Sequence, residues 1–186
     1  MSPASVAAGE GTARVLVSPD GNDVYAANYG AGTVSEYSRN AETGKLTQIS
    51  PATVTVGVNP HDLAISPDGK SVYVADSATQ GRIAQFIRNT ATGALTAMST
   101  ASTAAGEYTE DVVVSPDGNN VYATNEVTSN ISEYSRNAET GALTAQSPAT
   151  IATEAFPEGI ALSPDGRNVY ATNHGSGSVS EYLRAP

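Results

Sequence analysis

The residues of this chain best suited to chemistry are acids, histidines and one arginine that stand at matching places before short apolar runs. A histidine can exchange protons near neutral pH, and carboxylates can serve as acids, bases or ligands of hard cations. The candidate ligand-binding residues at these places are Arg14, His61, Asp62, Glu110, Asp111 and Glu158, and His174 joins them from the loop after Asn173, which is expected on the same side. No residue is assigned as catalytic, and His61 is the one candidate base. A hydrogen-bonded loop histidine is the commoner interpretation of such a residue.

A tetrapeptide, Ser-Pro-Asp-Gly, recurs four times and divides the chain into units. Its serines, Ser18, Ser66, Ser115 and Ser163, are 48, 49 and 48 residues apart. Periods of this size are typical of repeat folds. Proline presets the first φ angle of a turn, and glycine accepts the positive φ that follows. We therefore interpret the four aspartates as parts of turns rather than as a catalytic array.

Each unit contains four β-rich runs. An apolar run precedes the tetrapeptide, Val-Tyr follows it, and the third run carries Ser-Glu-Tyr in three units. A second turn, such as residues 39–44, leads into a fourth run, such as residues 46–56. Four antiparallel strands in about 48 residues match a propeller blade. The sequence thus predicts an all-β propeller of four-stranded antiparallel blades, with four blades per chain.

The predicted units form one repeat domain over residues 1–186. They are an outer strand at 1–9, blade 1 at 10–57, blade 2 at 58–106, blade 3 at 107–154, and the first three strands of blade 4 at 155–186. We expect the N-terminal strand to complete the last blade, which would leave no open sheet edge. Completion within one chain gives a four-bladed ring. Strand exchange with a second copy gives an eight-bladed homodimer, which the small side chains on the blade faces favour.

The net charge of −10 is distributed unevenly over the predicted blades. We call the side formed by the turns after the first and third strands the turn face, and the opposite side the mouth face. Charges on the turn face cancel, whereas the mouth face carries −7 and mid-strand glutamates carry −3. An acidic surface disfavours nucleic acid. No apolar run is long enough to span a membrane, no signal peptide is visible, and the compartment stays open.

Two sets of repeated polar residues are interpreted as structural. The first set is expected to bond loop backbone and comprises Asn28, Asp76, Asn125 and Asn173. The second is expected to be satisfied between blades and comprises Glu36, Glu133 and Glu181, with Gln85 at the same place in blade 2. The chain has no cysteine, which excludes disulfides and thiolate chemistry.

The repeat resembles the YVTN-type repeat of the lactonase-like propellers, the group of 6-phosphogluconolactonase and carboxymuconate cyclase. The resemblance rests on Ser-Pro-Asp-Gly-x-x-Val-Tyr followed by Ala-Ala-Asn, Val-Ala-Asp or Ala-Thr-Asn, and on Arg-Asn-x-x-Thr-Gly-x-Leu-Thr downstream. It covers essentially the whole chain and implies a propeller, usually of seven blades where this sequence supplies four. Pro60-His61 is similar to a Pro-His pair of those propellers. These motifs are turns and strands, so they specify the fold better than the activity.

Two main hypotheses of function follow. The first is a non-enzymatic, self-assembling scaffold that binds an unidentified ligand or a cation at its acidic channel mouth. The alternative is a lactone-hydrolysing or lactonising enzyme, as the resemblance implies. Such an enzyme needs a base and a donor for the oxyanion, and Arg14, Arg82 and His174 are the only other cationic candidates on the mouth face. No cofactor is expected, although rim carboxylates could form a Ca²⁺ or Mg²⁺ site.

Overall fold

The computed structural model describes residues 4–184, which form fifteen β-strands in four antiparallel sheets. The strands are β1 Thr12–Val17, β2 Asp23–Asn28, β3 Thr33–Arg39, β4 Leu46–Thr55, β5 Pro60–Ile65, β6 Ser71–Asp76, β7 Arg82–Arg88, β8 Leu95–Ala104, β9 Thr109–Val114, β10 Asn120–Asn125, β11 Asn130–Arg136, β12 Leu143–Ala152, β13 Pro157–Leu162, β14 Asn168–Asn173 and β15 Ser178–Leu183. Strands pair in chain order within each sheet. The predicted all-β, propeller-like architecture of successive antiparallel sheets is confirmed.

Blades 1, 2 and 3 are the sheets β1–β4, β5–β8 and β9–β12, and blade 4 is the sheet β13–β15. Within residues 4–184, blade 4 has no fourth strand. No helix of the described residues is long and apolar enough to cross a membrane.

The Ser-Pro-Asp-Gly turns form as the sequence predicts. The Ser18 hydroxyl donates to Asp20 at 2.5 Å and accepts the Asp23 backbone N–H at 2.9 Å. The Gly21 N–H donates to the Ser18 carbonyl at 2.8 Å, with φ of 74° at Gly21. Serine, aspartate and glycine therefore close the hairpin together, and the same bonds recur in the other three units.

The hydrophobic core lies between blades rather than within one sheet. Tyr25, Ala27 and Val34 of blade 1 pack against Leu63 and Phe86 of blade 2, and a similar cluster joins blades 2 and 3. Burial of apolar surface is the main favourable contribution to folding. Each blade is therefore stabilised by its neighbours, as in other repeat architectures.

Polar contacts on the turn face also join each blade to the next. Asp20 and Asp23 of blade 1 both accept hydrogen bonds from Arg88 of blade 2, which reaches Asp20 at 2.7 Å. The Tyr25 hydroxyl donates to the Gly93 carbonyl of blade 2 at 2.6 Å. Arg88 is almost fully buried, so this ion pair is part of the joint between the two blades.

The repeated acidic position of the third strand adds a further contact to each of the first two joints. The Glu36 carboxylate accepts the backbone N–H of Leu95 at 2.9 Å, and the Gln85 amide oxygen accepts that of Leu143 at 2.8 Å. The prediction that this position is satisfied between blades is confirmed for these two units. Within residues 4–184, Glu133 and Glu181 make no equivalent bond.

The predicted outer strand at 1–9 lies partly outside the described residues, and residues 4–9 form no strand. Their segment lies on blade 1, where the Ala7 carbonyl accepts the Tyr37 hydroxyl at 2.7 Å. Tyr134 makes the same bond to Ala104, the last residue of β8. Ala7 thus occupies the place that the end of a fourth strand takes beside the next blade. Closure within one chain is not formed in residues 4–184, and closure by a second copy stays a prediction.

Candidate functional site

The first strands of successive blades lie side by side, and this brings some of the predicted site residues of different blades into contact. Strand β5 contacts both β1 and β9, and β9 contacts β13. The pairing of first and second strands shifts register at the start of each blade, between Thr12 and Arg14 in β1 and between Pro60 and Asp62 in β5. Such bulges re-aim side chains. Residues that the sequence placed in loops therefore stand in irregular strand ends, and only His174 lies in a loop.

The most ordered group on the mouth face surrounds His61 of blade 2. Its Nδ1 lies 2.8 Å from the backbone carbonyl oxygen of Glu110 in blade 3 and 3.2 Å from Oε2 of the same residue. The Ser77 hydroxyl donates to Oε1 of Glu110 at 2.6 Å. A carbonyl oxygen only accepts hydrogen bonds, so Nδ1 carries the hydrogen. The neutral imidazole then presents Nε2 as its proton acceptor.

A shallow cleft of about 580 Å³ opens beside His61. Its other lining residues are Gly11, Thr12, Ala13, Tyr29, Ser77, Tyr108, Glu110 and Glu126. Tyr29 meets the imidazole edge-on, with ring centroids 6.1 Å apart. Tyr108 has a φ of 54°, a left-handed conformation unusual for a bulky residue, at the same repeat position as Gly11. The cleft therefore combines two partly exposed aromatic walls with one oriented imidazole.

A second group is a row of charged side chains along the first strands. The Arg14 Nε lies 3.7 Å from Oδ1 of Asp62. The other Asp62 oxygen accepts the Val112 N–H at 3.3 Å, and Asp111 accepts the Ile160 N–H at 2.9 Å. Burial raises the pKa of Asp62 well above its usual range, and the neighbouring Asp111 carboxyl raises it further. Burial and the neighbouring carboxyl therefore favour the neutral form of Asp62 at the joint between blades 2 and 3.

The third group stands apart from the cleft, on blade 4. Nδ1 of His174 lies 3.4 Å from Oε1 of Glu158, and both side chains are largely exposed. Neither residue lines the His61 cleft. The structure thus divides the seven candidates among three places. Arg82, the other cation proposed for this face, is bound to the buried Asp76 at 2.9 Å.

The prediction that the repeated Asn or Asp bonds loop backbone is confirmed in the first three units, whereas Asn173 accepts the Thr153 hydroxyl at 2.6 Å and donates to Ser178 and Ser180. Asn28 accepts the Gly9 N–H at 3.1 Å, Asn125 accepts the Gly106 N–H at 3.0 Å, and Asp76 accepts that of Asn59 at 2.8 Å. Across residues 4–184, no group of three or more His, Asp or Glu side chains is placed to hold a metal ion.

Two tyrosines and a serine of the His61 cleft are not among the candidates predicted from the sequence: Tyr29, Tyr108 and Ser77. The signal was present, because the residue after the repeated Asn or Asp differs in every unit. These residues are Tyr29, Ser77, Glu126 and His174. Of the four, the first three line the His61 cleft. A position where the repeats differ, beside a repeated Asn or Asp, is therefore a place to look for a site in this fold.

A family model described as lactonase, seven-bladed β-propeller, matches residues 1–109 and 80–186. The two matches together cover the chain and overlap at residues 80–109, as one repeat can align on another. The search of curated proteins found no match.

Solved structures of the same fold include three bacterial proteins. A candidate 6-phosphogluconolactonase from Bacteroides fragilis superposes with a TM-score of 0.82 at 21% identity, over 94% of this chain and 51% of that one. The periplasmic gluconolactonase of Pseudomonas aeruginosa gives 0.74 at 21% identity, over 95% and 58%. A Lactobacillus plantarum protein gives 0.77 at 23% identity, over 95% and 55%. This chain spans slightly more than half the length of these structures, and the likeness is one of fold.

Proposed function

This chain belongs to the lactonase family of seven-bladed β-propellers, and from that membership we propose that it hydrolyses lactones at the His61 cleft. The observation that carries the proposal is the chain of contacts from Ser77 to Glu110 to His61, at 2.6 and 3.2 Å. A base oriented by an acid that is itself held by a third group is a recurring arrangement in hydrolases. The enzymatic alternative is thus better supported than the non-catalytic scaffold.

The proposed reaction uses His61 as general base toward water. Nε2 removes a proton from a water molecule as its oxygen bonds to the lactone carbonyl carbon. The ring C–O bond then breaks, and the proton held by His61 passes to the leaving alkoxide, which gives an open hydroxy acid. Glu110 stabilises the imidazolium that forms in between.

The developing oxyanion needs a donor, and we propose Arg14 of the neighbouring row, which is not among the residues that line the cleft. Its guanidinium is about half exposed, and the preceding residue, Ala13, lines the cleft. The contact with Asp62 directs the side chain along the row of first strands. A cation beside the developing charge commonly supplies a large part of the catalysis of acyl transfer.

The charge of the mouth face favours an uncharged lactone. Glu110 and Glu126 line the cleft, and the surrounding face carries a net charge of −7 in the sequence. A phosphorylated lactone would meet like charge, which is unfavourable by several kcal/mol when charges approach closely. The hydroxy acid formed by ring opening is an anion, so the same field would assist its release. Tyr29 and Tyr108 offer flat surfaces to the ring of the substrate.

The test is proton release from uncharged and phosphorylated aldonolactones, measured in a pH-stat against the uncatalysed rate. We expect turnover of the uncharged substrate and a fall in kcat/KM of about 100-fold or more for His61→Gln. His174→Gln is the matched control, because it removes an exposed histidine from the same face. Circular dichroism checks that each variant is folded. Equal rates for wild type and His61→Gln would overturn the proposal and restore the scaffold hypothesis.

A further inference from the structure

Each joint between two blades is built from two sets of residues. We call the residues of the earlier blade the forward set and those of the later blade the rear set. In the joint between blades 2 and 3, the forward set is Asp68, Ser71, Tyr73 and Gln85, and the rear set is Arg136, Gly141 and Leu143. In the joint between blades 3 and 4, Arg184 contacts Asp117 and Asn120, each at 2.6 Å. Asn120 thus takes the place that Ser71 has in the forward set of blade 2.

Blade 4 carries a complete forward set that faces solvent. Its members are Asp165, Asn168, Tyr170 and Glu181. Tyr170 is 38% exposed, whereas Tyr73 at the same position of blade 2 is 0% exposed. Asp165 is more than half exposed, and the guanidinium near it is that of Arg167 in its own turn, at 3.9 Å. The surface that binds the next blade is thus assembled and unpaired within residues 4–184.

Blade 1 carries the matching rear set on its own outer side. Residues 35–46 repeat residues 132–143 except at Lys45, so blade 1 presents the side chains that blade 3 presents to blade 2. Arg39 donates to the Gly21 carbonyl at 3.0 Å, just as Arg136 donates to that of Gly118 at 3.1 Å. The carboxylate contact that Arg136 makes has no counterpart at Arg39 within residues 4–184.

The space around Gly44 shows the same difference. A Cβ atom added at Gly44 would meet nothing within 4 Å, whereas one added at Gly141 would overlap Ser71 of the preceding blade. Leu143 is buried at its joint, and its equivalent Leu46 is only half-buried. The rear set of blade 1 is therefore arranged as at the other joints, but no preceding blade covers it within residues 4–184.

We propose that a second copy of this chain fills both surfaces, with blade 4 of each copy bound to blade 1 of the other. The pairs are Arg39 with Asp165 and Asn168, the Tyr170 hydroxyl with the Gly44 carbonyl, and Glu181 with the Leu46 N–H. Residues 4–9 of the second copy, held on its blade 1 through Ala7, then lie beside β15. Val179 of that strand is 63% exposed, whereas Ile83 at the same position of blade 2 is 0% exposed, so this strand pairing also covers apolar surface.

A second copy fits because the two complementary surfaces belong to one chain. Each joint brings one arginine to one aspartate, which matches the three joints already present. Two heterologous contacts related by a twofold axis close a ring, whereas a different blade angle would give open chains. The expected assembly is an eight-bladed ring of two copies, which has one blade more than the seven in the description of the matching family model, and it does not depend on the proposed hydrolysis.

The first measurement is the mass in solution by light scattering after size exclusion. The proposal expects twice the chain mass of 18.9 kDa. A mass of one chain at all concentrations would overturn it. Species that keep growing with concentration would also overturn it, because they indicate open chains.

Charge reversal tests the assigned pair directly. Asp165→Arg and Arg39→Asp should each weaken dimerisation by at least about 100-fold, since each places like charges at both joints. An equimolar mixture of the two variants should dimerise again. One joint of the mixed dimer then pairs the two changed positions, and the other keeps the original pair.

Two controls separate binding from folding. Arg167→Ala removes a largely exposed arginine near the same surface and should leave the dimer mass unchanged. If either charge variant fails to fold by circular dichroism, Tyr170→Ala should still weaken the dimer by at least about tenfold, because a buried hydrogen bond is lost at each of the two joints. Dimers of unchanged affinity in all folded variants would refute the assigned contacts.

Discussion

The turn face and the mouth face of this repeat array use charge in opposite ways. On the turn face, buried arginines such as Arg88 and Arg136 bind aspartates of the preceding blade. On the mouth face, Asp62 lies beside Asp111, and Glu110 lies beside a histidine. The first arrangement occupies repeated positions, and the second occupies positions where the units differ. Repeated positions thus supply the joints, and positions where the units differ supply the acids and the histidine of the mouth face.

Among the tests of this difference between the two faces, we expect the largest effect from removal of a buried arginine on the turn face. Arg88→Ala leaves Asp23 buried without its cation, which should lower the free energy of unfolding by about 3–5 kcal/mol. Urea denaturation measures the loss. Arg167→Ala, at a side chain that is 82% exposed, should change stability by no more than about 0.5 kcal/mol. Equal effects of the two substitutions would show that the joint does not depend on its ion pair.

The next prediction concerns the carboxyl pair on the mouth face. Because burial and Asp111 raise the pKa of Asp62, its neutral form stabilises the fold at low pH, and this contribution is lost as pH rises. Asp62→Asn should therefore lose about 2 kcal/mol less stability than wild type between pH 6 and pH 9. Thermal melting across that range measures the difference. A parallel pH profile in both proteins would contradict the raised pKa of Asp62.

A smaller effect is expected at Glu36, which is 0% exposed. Burial raises its pKa to about 6, so stability falls as pH rises through that value. Glu36→Gln keeps an acceptor for the Leu95 N–H, as Gln85 does for Leu143 in the next blade. It should be more stable than wild type by about 1–2 kcal/mol at pH 8 and equal to it at pH 4. The reverse substitution, Gln85→Glu, should introduce the same pH dependence, and its failure to do so would argue against burial as the cause.

The smallest effect tests the orientation of the base. Ser77→Ala removes the hydroxyl that holds Glu110, and we expect kcat for lactone hydrolysis to fall about tenfold, with KM little changed. Ser176→Ala, at an exposed serine of the same face, is the control. Steady-state rates decide between them. An unchanged kcat in Ser77→Ala would remove Ser77 from the proposed machinery.

The fold was predictable from sequence because the repeat states its own turns and strands. Ser18 and Asp20 close their hairpin as expected, and Glu36 bonds the next blade. The register of the first strands was not predictable, because the bulge at Pro60 and Asp62 depends on pairing with a neighbouring strand rather than on a local pattern. The sequence therefore identified the individual candidate residues but not which of them contact one another.

The grouping depends on contacts between units. His61 and Glu110 stand 49 positions apart, and nothing in either unit shows that the ring of one reaches the carbonyl of the other. His174 resembled His61 in sequence as a mouth-face histidine, yet the structure places it beside Glu158 on blade 4. Neighbouring blades decide such contacts, so one unit read alone cannot reveal them.

The contact between His61 and Glu110 makes the geometry of the candidate site depend on how closely blades 2 and 3 pack. Its two halves belong to different sheets, so a slight hinge opening between blades 2 and 3 would separate the imidazole from its acid while every strand stayed paired. A looser contact between blades 2 and 3 would therefore separate His61 from Glu110 before either sheet unfolds. Duplication of a single repeat unit would not reproduce a site of this kind, because its residues come from two neighbouring units that would have to be duplicated together.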